Sequence, residues 1–293
     1  MVGVMKWERG KKRGEEEEEE TRRGGKEERR GRRKENKEGR KEEEKQKEEE
    51  GKQRAAATPV TVLCTSVELQ SNRAAGHRVT ALDMASCGAD TKPLDQVHSI
   101  VHYHQPLTDF MASIAAHGRV VLVGHSFGGI GVSLAMERFP RTISVAIFAT
   151  AMMPSLMFRR LDSMMDCRAT LDQGPDSSPS TFIFGPMFLA SKVYQCCQPE
   201  DLTLATMLVR PGKPFGEDMS REIMVSEENY GSVSRVYIVS KEDELMKEDF
   251  QHWIIENNPP REVREIHGSD HMPMLSKPQE LCCCLLDIAD RYD

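Results

Sequence analysis

The chain has 293 residues, with 40 Lys/Arg against 47 Asp/Glu and a formal net charge of −7. That length allows a sizeable core, and the net acidity argues against nucleic acid as the main partner. No long apolar stretch is present, so no transmembrane helix is expected; the N-terminus also lacks the apolar core of a signal peptide.

Charge is spread unevenly. Residues 1–54 hold 20 Lys/Arg and 17 Asp/Glu, including six consecutive glutamates at 15–20, and almost no apolar side chains. Such a segment cannot bury enough surface to offset its ordering entropy, so a disordered low-complexity tail is expected there. The run Arg29-Arg30-Gly31-Arg32-Arg33-Lys34 fits a nuclear address or an anion patch, although a solvated charge run needs no partner. Residues 55–293 keep 20 Lys/Arg and 30 Asp/Glu. They are expected to form a single, acidic α/β domain.

In chain order, 59–64 reads as a strand, 67–75 as a helix, 78–83 as a strand and 94–117 as a helix. A strand at 119–123, a helix at 130–138 ended by Pro140, and a strand at 144–149 follow. An insert rich in Met, Pro and Ser then runs from 151 to about 230. The chain closes with a strand at 235–239, a helix at 247–257 stopped by Pro259 and Pro260, an alternating strand at 262–266, and an amphipathic helix at 278–292. Strands alternating with helices imply a mostly parallel sheet with helices on both faces.

The chemistry centres on Val120-Val121-Leu122-Val123-Gly124-His125-Ser126-Phe127-Gly128-Gly129. A buried strand runs into Gly-x-Ser-x-Gly and then into a helix, the context of a nucleophile elbow. Gly124 and Gly128 are needed because the turn is tight and a β-carbon would collide with its neighbours. The turn exposes the Ser126 hydroxyl and aims the Phe127 N–H at the same spot, as an oxyanion donor. The partners of such a serine follow in the chain order acid, then histidine. Lys241-Glu242-Asp243-Glu244 lies at a strand end, where the acid belongs. By position alone Asp243 competes with Glu242, Glu244 and Asp270. Among nine histidines, His271 follows the last strand and is the candidate base. Met152, Met153 and Met157 open the insert and suit either a pocket wall or a gap-filled core; Met152, and Met272 beside the histidine, are the candidate substrate-binding residues. Within the insert, 182–189 is the piece best suited to cover Ser126. The cysteines include Cys196-Cys197 and Cys282-Cys283-Cys284, with no metal-binding spacing. Reduced thiols in a cytoplasmic protein are expected, with no metal and no cofactor.

Several segments carry a family resemblance: Ala75-Gly76-His77-Arg78-Val79-Thr80-Ala81-Leu82-Asp83, the stretch 121–129, Phe184-Gly185-Pro186, Pro199-Glu200-Asp201-Leu202, Leu208-Val209-Arg210-Pro211 and Asp270-His271-Met272-Pro273-Met274-Leu275. Over about 73–293 the chain resembles the plant methylesterases, the group of salicylic acid-binding protein and the methyl jasmonate esterases, with hydroxynitrile lyases as cousins. The resemblance implies an α/β-hydrolase fold with a cap insert at 151–230. It also implies hydrolysis of methyl esters of small plant hormones (methyl salicylate, methyl jasmonate, methyl indole-acetate type) by a triad of Ser126, His271 and Asp243. The family acid belongs to a Glu-Asp pair followed seven residues later by Phe-Gln; here Asp243 precedes Phe250-Gln251 at that spacing.

One departure stands out. The family's first strand ends in His-Gly and a loop that gives the second oxyanion N–H. Here Thr58-Pro59-Val60-Thr61-Val62-Leu63-Cys64-Thr65-Ser66-Val67 stands in its place, with no Gly between Gly51 and Gly76. Three readings follow: an esterase with turnover lowered by the lost loop, a weak hydrolase-fold protein that binds a hormone acid, or a hydroxynitrile lyase. The lyase cousins rely on a Lys directly after the histidine, where this chain has Met272. The partner in each case is a small ester or acid rather than nucleic acid or a membrane.

Overall fold

The computed structural model describes residues 79–114, 118–154, 165–170, 180–215 and 222–292. The 1–54 tail, the expected strand at 59–64, the helix at 67–75 and Met157 lie outside the described residues.

Four parallel strands form the sheet, in the order β1 (Val120–Ser126), β2 (Ile143–Ala151), β5 (Arg235–Ser240) and β6 (Glu262–Ile266). The apolar runs of β1, β2 and β5 are buried nearly throughout, as strands covered on both faces must be. The polar alternation of β6 places it at the edge of the described ladder, with Glu262, Arg264 and Ile266 on one face and Val263 and Glu265 more exposed on the other. Between β2 and β5 a short hairpin, β3 (Arg168–Thr170) with antiparallel β4 (Thr181–Ile183), stands apart from the sheet.

Of the helices, α1 (Ile100–Tyr103) and α2 (Gln105–Ala112) precede β1, and α3 (Gly128–Arg138) follows it. The insert holds α4 (Pro186–Phe188), a π-helical turn at Leu189–Val193 and α5 (Pro199–Leu208). The last three are α6 (Glu248–Asn257), α7 (Pro273–Ser276) and α8 (Pro278–Tyr292). Two cores result, one on each face of the sheet. The first joins α3, Ile254 of α6 and the α1–α2 segment to Leu122, Phe148 and Tyr237. The second joins Leu281, Leu285, Ile288 and Ala289 of α8 to Val121, Ile147 and Ile238. The 281, 285, 288, 289 spacing is one helix face, and each large side chain buried there contributes roughly 1.5–3 kcal/mol.

Two expectations need correction. The span 94–117 is not one helix: Ser99 accepts a hydrogen bond from the His102 N–H and caps α1, while Pro106 sits in the first turn of α2. A proline lacks the N–H that would carry a helix through. Among the described residues the segment 79–83 forms no strand; Val79 and Ala81 still bury their side chains.

Candidate active site

The elbow is strained where its chemistry lies. Ser126 ends β1 with φ +53°, a region that a serine holds only when the surroundings demand it. Gly124 is required by contact: a β-carbon there would lie 2.6 Å from Val132 Cγ2 and 2.9 Å from the Gly128 carbonyl oxygen. Gly129, which the motif alone does not single out, is equally constrained by the Met152 carbonyl. That crowding follows from how the end of β2 folds over the elbow, where the Met152 N–H donates to the Ser126 carbonyl at 3.0 Å.

Phe127 follows with helical dihedrals at the head of α3. Its carbonyl accepts from the Ile130 N–H, whereas N–H groups in a first turn have no acceptor within their helix. The Phe127 ring is stacked on Phe215 at 6.1 Å between centroids and meets Tyr103 edge-on at 5.8 Å. That aromatic group holds the Phe127 backbone in place.

Ser126, His271 and Asp243 come together from three separate elements. His271 Nε2 lies 2.9 Å from Ser126 Oγ, and Nδ1 lies 2.7 Å from Asp243 Oδ2. The carboxylate only accepts, so Nδ1 carries the proton and Nε2 takes the serine hydroxyl. Asp243 is buried yet fully partnered. Oδ1 accepts the N–H groups of Leu245 at 2.8 Å and Met246 at 2.7 Å; Oδ2 accepts the Thr150 hydroxyl at 2.6 Å besides the imidazole. Four donors compensate the cost of burying a carboxylate.

Asp270 and Glu244 face elsewhere. Asp270 accepts from the Cys196 N–H at 2.7 Å, from the Met272 N–H at 2.9 Å and from the Cys197 thiol. It thereby ties the insert to the histidine loop, and burial with this carboxylate pushes the Cys197 thiol well up. Glu244 pairs with Lys192 and Lys247. The Glu242 carbonyl accepts from Gln195. His125 donates from Nε2 to the His271 carbonyl at 2.6 Å; burial, then the nearby His271, holds its pKa well below the ordinary value, so this ring stays neutral beside His271.

Met152 is half-buried against the first core, and Met272 is buried in the second. Phe184 stacks on Phe188, with Phe182 edge-on to Phe184. Thr150, Gln251, Tyr237 and Gly129 support the site without any motif marking their roles; for Gln251 the Phe-Gln pair that begins seven residues after Asp243 is the one available signal. Among the described residues, Glu248, His252 and Glu265 form the cluster with metal-ligand geometry. Lys241 bridges Glu248 and Glu265 there, so an internal cation already pairs with both carboxylates.

The alpha/beta hydrolase family profile matches residues 61–282. The chain belongs to that family. Within it, the chain is a member of the plant methylesterase group and is by that membership a carboxylic ester hydrolase. It is 51% identical over 232 residues to methyl jasmonate esterase 1 of Vitis vinifera, covering 75% of this chain and 89% of that protein. To salicylic acid-binding protein 2 of Nicotiana tabacum it is 43% identical, with the same coverage. Among solved structures, tomato methylketone synthase I with 2-tridecanone superposes with a TM-score of 0.73 at 43% identity, covering 78% of this chain and 93% of that one.

Proposed function

We propose that this hydrolase cleaves methyl esters of small plant-hormone acids, of the salicylate, jasmonate or indole-acetate type, with Ser126 as nucleophile, His271 as base and Asp243 as the orienting acid. One observation carries the reading: the unbroken chain Ser126 Oγ, His271 Nε2, His271 Nδ1, Asp243 Oδ2, with links of 2.9 and 2.7 Å. The grapevine relative is named as a methyl jasmonate esterase and the tobacco relative as a salicylic acid-binding protein, which supports the substrate class.

Ser126 attacks the ester carbonyl as His271 takes its proton, and Asp243 stabilises the imidazolium. The Phe127 N–H faces the negative charge that develops on the carbonyl oxygen. His271 then gives its proton to the departing methoxide, methanol leaves, and water repeats the cycle on the acyl-enzyme. Met152, on the strand end that covers the elbow, lines the acyl site in this reading, and Met272 backs the histidine. Reduced thiols, Cys196 and Cys197 among them, fit a cytoplasmic setting. Among the described residues no helix is long and apolar enough to cross a membrane.

A second reading, a hormone-acid binder with little turnover, draws on the sequence at 58–67, which lacks the family's His-Gly. Those residues lie outside the described ones. Methanol release from a panel of methyl esters separates the two. Turnover that disappears in Ser126→Ala, with the far-ultraviolet spectrum unchanged, is the expected result. Turnover that survives in Ser126→Ala would remove the triad assignment, and acid binding without methanol release would favour the binder.

A further inference from the structure

Strand β2 does not run evenly to its end. His125 of β1 faces Ala149, and Ser126 faces Ala151, so Thr150 is one residue more than the ladder needs. The faces of β2 record the slip. Val145, Ile147 and Ala149 enter the core on the α8 side, and Ala146 and Phe148 enter the core on the α3 side. Ala151 and Met153 then also join the α3 side. From Phe148 to Ala151 is an odd step, which strict strand alternation forbids. A bulge permits it by leaving one residue unpaired and re-aiming its side chain.

The bulge is held firmly. Thr150 has φ +36°, where a β-branched residue stays only if its surroundings over-determine it. The buried Tyr237 hydroxyl accepts from the Ala151 N–H at 3.1 Å and donates to the Ala151 carbonyl at 3.0 Å, replacing lost ladder bonds. As a result Thr150, fully buried, donates its hydroxyl to Asp243 Oδ2, the oxygen that also takes the His271 Nδ1–H.

We propose that Thr150 is a positioning residue for the Asp243–His271 pair and sets how tightly the carboxylate holds the imidazole; this rests on the triad reading above. Two donors on one oxygen share its negative charge. Without the hydroxyl, more of that charge faces the imidazole N–H, and the carboxylate is free to rock about its bonds to Leu245 and Met246. The protonated ring is then held more strongly and returns its proton less readily to the leaving methoxide. The other titratable groups around the pair are His125 from β1, Tyr237 from β5, and Asp270 with Cys197 behind the histidine loop; substitution at Thr150 leaves all of them in place.

The test uses Thr150→Val, which keeps the β-branch and hence the backbone cost while removing the O–H, together with Thr150→Ala and Thr150→Ser. For a methyl ester that the unaltered chain turns over, kcat and KM are read separately against pH, with Ser126→Ala alongside. One hydrogen bond to a charged group sets the scale, so Thr150→Val should lose about tenfold in kcat with KM within about twofold. The acid limb of kcat/KM should move to higher pH in Thr150→Val and Thr150→Ala and return in Thr150→Ser. A limb that stays put in whichever of the two folds, whatever its melting temperature, overturns the proposal. Turnover surviving in Ser126→Ala overturns the triad reading instead, whereas an inactive Ser126→Ala beside an unmoved limb overturns only the role of Thr150.

Discussion

His104 is buried behind the elbow, 1% exposed, and takes no part in the proposed reaction. Nδ1 donates to the Ile100 carbonyl, Nε2 has no hydrogen-bond partner among the described residues, and the ring lies against Phe127 and the α-carbon side of Gly131. Burial lowers its pKa from 6.5 to about 4. Between those values the unfolded chain binds more protons than the folded one, so stability falls as pH drops from about 6.5 to about 4. The full shift corresponds to ~3 kcal/mol. His125 acts in the same direction through its own lowered pKa. His104→Leu removes one of the two contributions and an unpaired buried nitrogen. Urea unfolding of the variant should match or exceed the parent at pH 7 and lose less stability on going to pH 4.5; an equally steep acid loss would assign the effect to other groups. The residue scale also shows what position in sequence cannot settle. Asp243 and Asp270 both lie at loops after strands, and hydrogen bonds made by residues 28 to 93 positions away distinguish them.

At the scale of elements, Gln251 of α6 clamps the loop that carries Asp243. Its side-chain amide donates to the carbonyls of Ser240 at 2.8 Å and Met246 at 2.7 Å, and its carbonyl accepts from the Ser240 N–H. Gln251→Leu fills the space but leaves these backbone groups unpaired in the core, at a cost of at least about 2 kcal/mol. The expected outcome is a lower unfolding midpoint together with a lower kcat, because the Met246 N–H also holds Asp243 Oδ1; an unchanged midpoint would show that water replaces the clamp. Elements were legible where apolar runs stand between breakers: 235–239 was read within one residue of β5, and 262–266 matches β6. The long helix at 94–117 was misread because its periodicity continues across Ser99 and Pro106, where the backbone hydrogen bonds do not. Thr150 was invisible for a related reason. A bulge breaks the two-residue period locally, and composition carries no trace of it.

At the scale of the whole molecule, the chain divides by composition near residue 54. Before that point 37 of 54 residues are charged, with both signs mixed; after it the chain keeps an excess of ten acidic groups. The family profile begins at residue 61, and the described cores draw on Val79 and residues beyond it. A segment with so few apolar side chains has little to contribute to either core, since stabilisation scales with the apolar area removed from water. Exposed pairs of opposite charge are worth about 0–1 kcal/mol each and are screened by salt, so mixed charge in the sequence gives little reason to expect a stabilising role. A chain starting at residue 55 is therefore expected to melt within about 2 °C of the full-length protein, because a difference of 1 kcal/mol shifts the melting temperature of a domain this size by only about 2–4 °C. Its kcat/KM on the same methyl ester should agree within about twofold at 150 mM salt, where exposed charge pairs are largely screened. Differential scanning calorimetry and the methanol assay on both chains measure this directly. A drop of 10 °C or more on truncation would mean that residues 1–54 pack onto the hydrolase domain, and the boundary at 54 would have to be abandoned.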